Sequence, residues 1–268
     1  MTNIDPVYFI TPSVTLALMV SLVVYWRFKR VFPGRILLYS LAAYGGAIAL
    51  KYAVQIPTLG PFKAATGGNL VALGVYYGAQ TAVFEVGGAF VVAWYAASRG
   101  RLDARGSEAF GLGLAFWENA ALFAVPLLID YAVYYAILSN PGASVAQALY
   151  PVLAKDSPGL FLGPSAALPL VGYAILERVS SLLAHFAWGL LCVLAVVWRK
   201  KVYLAAAMPI GFVIDFLVPF SSTVGVGVFE ATIFVVSAAA LAGTLLLTRS
   251  VRSRGGEPAR QPIPGSNT

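Results

Sequence analysis

Four ionisable residues lie inside long apolar segments of this sequence, and they are where chemistry is expected. They are three carboxylates and the only histidine of the chain: Glu85, Glu118, Asp215 and His185. Ionisable side chains are costly in hydrocarbon, so within membrane segments they mark binding sites, catalytic sites or ion pathways. Carboxylates and an imidazole can act as general acids and bases, and they can also bind a cation.

The segments that carry these residues read as membrane helices. The chain is 59% hydrophobic and 11% charged, against about 25% charge in a soluble domain. The segments are too long and too continuously apolar for barrel strands, so helices must satisfy their backbones. The sequence therefore predicts an all-α, multi-pass bundle in the cell membrane. Seven segments exceed the roughly 18 residues of a span, at about 8–26, 35–54, 69–98, 106–130, 171–198, 202–220 and 224–247.

The basic residues predict how this bundle is oriented. The connections after helices one, three and five, together with the C-terminal tail, hold 14 of the 18 lysines and arginines. With seven helices these regions share one side, which the positive-inside rule makes cytoplasmic. The N-terminus is thus predicted outside and the C-terminus inside. The net charge of +7 reflects topology, and no nucleic-acid partner is expected because no aromatic–basic pattern suits base stacking.

Counting along the helices puts the four ionisable residues at one depth. Each lies 13 or 14 residues from the basic residue that ends its helix: Glu85 from Arg99, Glu118 from Arg105, His185 from Arg199 and Asp215 from Lys201. At about 1.5 Å per residue, all four lie about 20 Å from the cytoplasmic edge. Four helices contributing to one level indicate a shared polar cavity. The alternative is four separate polar residues, each bridging a pair of helices.

Two domains of different character are predicted. Residues 1–247 form an integral membrane domain. Residues 248–268 are polar and rich in proline, glycine and arginine, and are predicted to be a disordered basic cytoplasmic tail.

A Glu-Arg pair precedes the histidine on the fifth helix. Arg178 and His185 are seven residues apart and share a helix face, so Arg178 can supply positive charge to a carboxylate. Glu177 points about 100° away from Arg178, and the two are not expected to pair with each other.

The remaining ionisable and nucleophilic residues of the spans are expected to have ordinary roles. Lys51 is predicted to snorkel to the outer interface. Asp130 and Glu230, near the outer ends of their helices, are predicted to meet water. Cys192 is predicted to be a small packing residue, since no base lies within a helical turn of it.

Several of these segments resemble motifs of a known superfamily. "GLGLAFWENAALF" (Gly111 to Phe123) resembles the second motif of PrsW-like intramembrane proteases, and "ERVSSLLAHFAW" resembles the E-R-x(6)-H helix of the YhfC-like branch. "FEVGGAF" and "MPIGFVID" stand where that superfamily has its double-glutamate first motif and its last motif. The superfamily also contains CAAX-prenyl endopeptidases and bacteriocin-processing enzymes, and the resemblance spans about residues 80–220.

The resemblance implies a glutamic intramembrane endopeptidase that acts on membrane-embedded or lipid-modified peptides. By position, Glu85 would be the general base, Glu118 a second acidic residue, His185 the group that polarises the scissile carbonyl and Asp215 the final acceptor. Supporting positions would be Glu177, Arg178 and Asn119. No cofactor is expected. The alternative is a divalent metal such as zinc, held by Glu85, Glu118, His185 and Asp215, although zinc sites usually use more nitrogen or sulfur.

The chain departs from the superfamily pattern at three motif positions, which hold Val86, Leu114 and Gly211 instead of a glutamate and two histidines. Two other functions therefore stay open. One is a non-catalytic membrane scaffold that retains the protease fold. The other is a cation- or proton-coupled transporter that uses the same carboxylates. The expected partners are the lipid bilayer and a membrane peptide or protein, and the sequence leaves the oligomeric state open.

The predicted topology can be tested by cysteine labelling in intact cells. With Cys192 replaced, a cysteine at position 155 should react with a membrane-impermeant thiol reagent, because its loop is predicted to lie outside. A cysteine at position 254 should react only after permeabilisation. Reaction at 254 but not at 155 would reverse the orientation.

Overall fold

A computed structural model of the chain describes residues 3–30 and 33–253, and in these ranges every regular element is helical. Two π-helical segments, Thr81–Val86 and Trp117–Ala124, each join two α-helices without a break. Short 3-10 turns lie at Pro6–Phe9, Ala104–Gly106, Pro158–Phe161 and Val218–Phe220. The α-helices are α1 (Ile10–Arg30), α2 (Arg35–Ala65), α3 (Leu70–Gln80), α4 (Gly87–Ser98), α5 (Ser107–Phe116), α6 (Val125–Leu138), α7 (Ser144–Asp156), α8 (Pro164–Val197), α9 (Lys201–Leu217), α10 (Ser221–Val224) and α11 (Val226–Ser253).

These helices form seven spans that are long and apolar enough to cross a membrane, which confirms the predicted multi-pass helical fold. In chain order, spans 1 to 7 are Pro6–Lys29, Arg35–Ala65, Leu70–Ser98, Ala104–Leu138, Pro164–Val197, Lys201–Val224 and Val226–Arg249. The protein is thus an integral multi-pass membrane protein. Which side each terminus faces stays a prediction. Helix α11 continues to Ser253, past the predicted start of the tail, and the rest of that tail, residues 254–268, lies outside the described residues.

Span 5 is the central helix of the bundle. In its most apolar window 67% of the residues are buried, whereas the corresponding share for the other spans is between 11% and 33%. It packs most extensively on spans 4 and 7, and it also contacts spans 3 and 6. The outer spans turn large apolar side chains away from the protein, as expected for a lipid-facing surface; Ile56, Val83 and Leu246 are examples. The bundle therefore brings side chains from several spans around the histidine-bearing helix.

Glycines let the helices that carry the predicted site approach closely. A Cβ atom at Gly189 would lie 2.6 Å from the Cα atom of Gly111, so the backbones of spans 4 and 5 are in contact there. Spans 3 and 6 meet in the same way, because a Cβ atom at Gly78 would lie 2.5 Å from the carbonyl oxygen of Phe212. Small residues at helix crossings are the usual means of tight packing in membranes. These contacts hold together, in pairs, the four spans on which the ionisable layer was predicted.

Replacing Gly189 by alanine should destabilise the bundle, because the added methyl group has no space unless spans 4 and 5 separate. Overpacking of this kind costs about 1–3 kcal/mol. Thermal unfolding of the detergent-solubilised protein measures the effect. The control is Gly243→Ala on span 7, where an added Cβ atom would meet nothing within 4 Å. Equal unfolding temperatures for the two variants would show that the backbone contact is not stabilising.

Candidate functional site

The four residues predicted to share one depth line a single cavity inside the bundle. Glu85, Glu118, His185 and Asp215 come from spans 3, 4, 5 and 6, and the cavity has a volume of about 210 Å³. This volume has room for several waters. Spans 2 and 7 complete the wall. The depth count from the sequence thus identified side chains that the fold brings together.

Both glutamates of this cavity lie on π-helical segments. Glu85 is in Thr81–Val86 and Glu118 is in Trp117–Ala124. A π-helical turn holds an extra residue, which changes the direction of the side chains around it, and such turns occur often at functional sites. Depth along the helix is hardly affected by one extra residue, so counting residues still found the correct level.

The imidazole of His185 is held in one orientation by its neighbours. Its Nδ1 atom is 2.9 Å from the carbonyl oxygen of Ser181, one turn earlier on span 5. A carbonyl oxygen can only accept a hydrogen bond, so Nδ1 carries a proton and is the donor. The ring lies beside the indole of Trp188, with centroids 4.0 Å apart, and the edge-on ring of Tyr44 at 5.6 Å. The other nitrogen, Nε2, therefore faces in a fixed direction.

Nε2 of His185 faces two carboxylates. The distance from Nε2 to Oε2 of Glu118 is 2.7 Å, and the distance to Oε2 of Glu85 is 3.5 Å. The shorter contact has the length of a hydrogen bond but not its direction, and both of its atoms are otherwise buried and unpaired. When the imidazole is protonated, the two groups form an ion pair. The contact can therefore serve as a proton donor–acceptor pair.

Lys51 is part of the site, and the prediction that it snorkels to the outer interface is wrong. Its Nζ atom lies 2.6 Å from Oε1 of Glu85, 2.7 Å from Oδ2 of Asp215 and 2.7 Å from Oγ1 of Thr81. Two buried carboxylates attract the ammonium group more strongly than a distant interface does. A signal was present: Lys51 lies 16 residues after Arg35, about 24 Å along the helix and only one turn from the layer.

Arg178 pairs with both of its glutamate neighbours. Its guanidinium contacts the carboxylate of Glu177 directly, and its Nη1 atom is 3.7 Å from Oε1 of Glu118. The expectation that Glu177 and Arg178 do not pair is therefore wrong, because two long side chains can bridge the 100° between adjacent helix positions. The guanidinium also stacks on the ring of Phe123 at 4.3 Å. Arg178 does supply positive charge to a site carboxylate, as its helix face predicted.

Asn119 faces away from the carboxylates and joins spans 4 and 5. Its Nδ2 group donates to Oγ of Ser181 at 3.1 Å and to the carbonyl oxygen of Ala115 at 3.0 Å, and the residue is fully buried. The Ser181 carbonyl oxygen also accepts the hydrogen bond from Nδ1 of His185. Asn119 therefore stabilises the helical turn that orients the imidazole.

The two outer carboxylates differ from each other. Asp130 is exposed, and its contact with water stays a prediction. Glu230 is only 7% exposed and lines the cavity from span 7, so any water that it meets is in this cavity. Span 7 packs along span 5, which brings this part of the helix against the interior instead of the interface.

The three motif positions that depart from the superfamily pattern are filled by packing. A Cβ atom at Gly211 would lie 2.7 Å from Cγ2 of Val86, so the valine occupies the space that a side chain at 211 would need. Leu114 is buried against Gly189 in the same way. The buried thiol of Cys192 contacts the carbonyl oxygen of Val86 at 3.5 Å and has no ionisable partner, in keeping with a packing role. The substitutions thus place close apolar contacts where the superfamily pattern has polar groups.

The cavity residues do not fit a metal ion as they are arranged. Among the described residues, no group of three or more histidine, cysteine, aspartate or glutamate side chains could hold one. Asp215 and one oxygen of Glu85 instead bind the ammonium of Lys51, so of these two carboxylates only the second oxygen of Glu85 faces His185. The single imidazole is also fewer nitrogen ligands than zinc usually has. The four-residue metal site considered from the sequence is therefore not formed by these side chains.

Comparison with known proteins identifies a family. The model of the family described as YhfC intramembrane metalloprotease matches residues 14–243, in agreement with the resemblance carried by the ERVSSLLAHFAW and FWEN segments. The chain has no significant match among curated proteins or solved structures. The matched range includes all seven spans except the ends of the first and last.

Removing the ammonium of Lys51 should destabilise the protein, because Glu85 and Asp215 would be left buried without their shared cation. Loss of one partner of a buried ion pair costs about 3–5 kcal/mol. We expect Lys51→Met to lower the free energy of unfolding by that amount and a second change, Asp215→Asn, to restore part of it. Unfolding in mixed detergent, followed by circular dichroism, measures both.

The matched control for this experiment is Lys63→Met. Lys63 lies near the end of the same helix and is exposed, so its loss should have little effect. If Lys51→Met unfolds like the wild type, the lysine does not stabilise the carboxylates.

Proposed function

The chain belongs to the YhfC intramembrane metalloprotease family, and we propose that it is a glutamic endopeptidase that cleaves membrane-embedded or lipid-modified peptides. The observation that carries this proposal is the position of His185, with Nε2 between Glu85 and Glu118 in a cavity that has room for water. A general base, a proton donor and space for a nucleophilic water are what hydrolysis of a peptide bond needs.

Glu85 is assigned as the general base. Lys51 binds its Oε1 atom, and the other oxygen, Oε2, lies on the side of the histidine. Oε2 takes one proton from water as the water oxygen forms a bond to the carbonyl carbon. The C–N bond then breaks, and the proton passes to the leaving nitrogen. General base catalysis by a positioned carboxylate is worth about 10²–10⁴ in rate.

His185 and Glu118 are assigned to the developing negative charge on the carbonyl oxygen. A protonated Nε2 can donate a hydrogen bond to this oxygen while the tetrahedral intermediate exists, and Arg178 on the far side of Glu118 keeps positive charge nearby. A preorganised donor of this type is worth about 10²–10³ in rate. Asp215 acts through Lys51, because the ammonium group of Lys51 contacts both Asp215 and Glu85. It is therefore a positioning residue.

The family description names a metal, and the donor set of this chain does not fit one as arranged. Each step above is therefore assigned to the side chains of the chain itself. The proposal predicts that incubation with a strong chelator leaves turnover unchanged. Loss of activity that added zinc restores would overturn the metal-independent mechanism but not the peptidase function.

Two features support the peptidase over the alternatives. Transporters of known type place their ion sites at discontinuous helices with unwound segments, whereas spans 3, 4 and 5 run through the cavity level as unbroken helices. A scaffold without chemistry has no need of buried charge, yet this cavity is lined by five carboxylates.

Substitution of the base and of the histidine should remove activity. We expect Glu85→Gln and His185→Ala each to reduce cleavage by at least about 10², the loss typical of a single such group. Cys192→Ala should cleave like the wild type, because its thiol only packs against a carbonyl group. The assay is mass spectrometry of a library of single-span peptides incubated with the reconstituted protein.

The outcomes of this assay separate the candidate roles. Equal cleavage by wild type and Glu85→Gln would reject Glu85 as the base and make Glu118 the candidate. If the folded wild type cleaves no peptide, the scaffold function becomes the better explanation.

A further inference from the structure

The wall of the cavity holds more carboxyl groups than cationic side chains. Two side chains in its wall, Lys51 and Arg178, are permanent cations, and His185 adds at most one further charge. The carboxylates in the wall are Glu85, Glu118, Glu177, Asp215 and Glu230. Within the bilayer this imbalance is costly, so a positively charged ligand is favoured over a neutral one.

One of these carboxylates has no cationic partner. Four of the five have a cationic nitrogen of Lys51, Arg178 or His185 within 4 Å. Among the described side chains, Glu230 has none. It is 93% buried, being 7% exposed, and its Oε2 atom has no hydrogen-bond partner. A buried carboxylate without a partner, in the wall of a cavity, is an open position for a cation.

We propose that Glu230 is the specificity subsite of the proposed peptidase, and that it binds a positively charged group of the peptide substrate. The group is an ammonium or guanidinium, supplied by a lysine or arginine side chain or by the peptide N-terminus. This inference rests on the proposed function, because it names the class of peptide that the same cavity accepts.

The geometry of span 5 sets where the charge lies along the substrate. Glu177, which lines the same cavity and is close enough to Glu230 for their charges to interact, precedes His185 by eight residues. This is about 12 Å along an α-helix, and an extended peptide covers that distance in about three to four residues. The cation is therefore expected about three to four residues from the cleaved bond, on the side predicted to be extracytoplasmic.

A binding experiment tests the subsite separately from cleavage. Full-length protein carrying Glu85→Gln is reconstituted in phosphatidylglycerol vesicles, whose headgroups offer no competing amine. Fluorescent single-span peptides carry one lysine, moved position by position through the outer end, and each is paired with a norleucine peptide of equal length. A free or acetylated N-terminus in each series separates the two sources of the ammonium group.

We expect a lysine at the matching position to tighten binding by at least about tenfold relative to norleucine, as close charge pairs in interfaces do. Glu230→Gln should remove this preference without weakening the norleucine peptides. Glu230→Lys, where it folds, should reverse the preference in favour of a glutamate peptide, an effect that a structural role could not produce. Asp130→Asn, which removes an exposed carboxylate from span 4, is the matched control and should change nothing.

The outcomes distinguish the subsite from the peptidase. The subsite is wrong if Glu230→Gln retains the full preference for lysine. It is also wrong if the protein that retains Glu230 shows no preference for lysine at any position of the peptide. If the preference depends on Glu230 but the unmodified protein cleaves none of these peptides, the subsite stands and the peptidase function fails.

Discussion

The cost of charge inside a membrane is the constraint on which this structure depends. The bundle meets it by linking most of its buried ionisable groups, Glu230 excepted, into one continuous series that runs from Asp215 through Lys51, Glu85, His185 and Glu118 to Arg178. Acidic and basic groups alternate along the series, and each span from the second to the sixth contributes at least one member. Because removal of any member leaves its neighbours unpaired in a low-dielectric region, the arrangement of five helices and the composition of the cavity cannot vary independently.

Close contacts between the helices fix the positions of the ionisable groups in this series. Where the superfamily pattern has polar groups, this chain has Val86 against Gly211 and Leu114 against Gly189. These pairs fix the distance between the helices that carry Glu85 and Asp215, and between those that carry Glu118 and His185. An interior packed to this density transmits small displacements directly. These apolar contacts thus form a rigid support for the ionic series, and a change in either would displace the other.

Much of this could be predicted from the sequence, since it depends on length and depth. Seven apolar runs gave the seven spans, and residue counts from the basic loops located Glu85, Glu118, His185 and Asp215 at one level. The predictions that failed depend on contacts between neighbouring helices and side chains. Lys51 was assigned by its nearness to the end of a helix, whereas its environment is decided by which neighbouring span covers it. Glu177 and Arg178 were separated by ideal helix angles that flexible side chains do not obey. No single-sequence pattern reports such contacts.

The two π-helical segments make the site dependent on chain register in a way that side-chain chemistry does not reveal. A π-helical segment holds one residue more than the regular helix that would replace it. Deleting one residue within Thr81–Val86 would therefore return this turn to ordinary α-helix while the half-helices on either side keep their orientations, and the fully buried Ala89, Ala93 and Ala96 would stay in the interior. The carboxylate of Glu85, which lies within the segment, would be redirected. Such a deletion should thus spare the packing and disable the site, whereas the same deletion in a regular stretch of the span would rotate everything beyond it by about 100°.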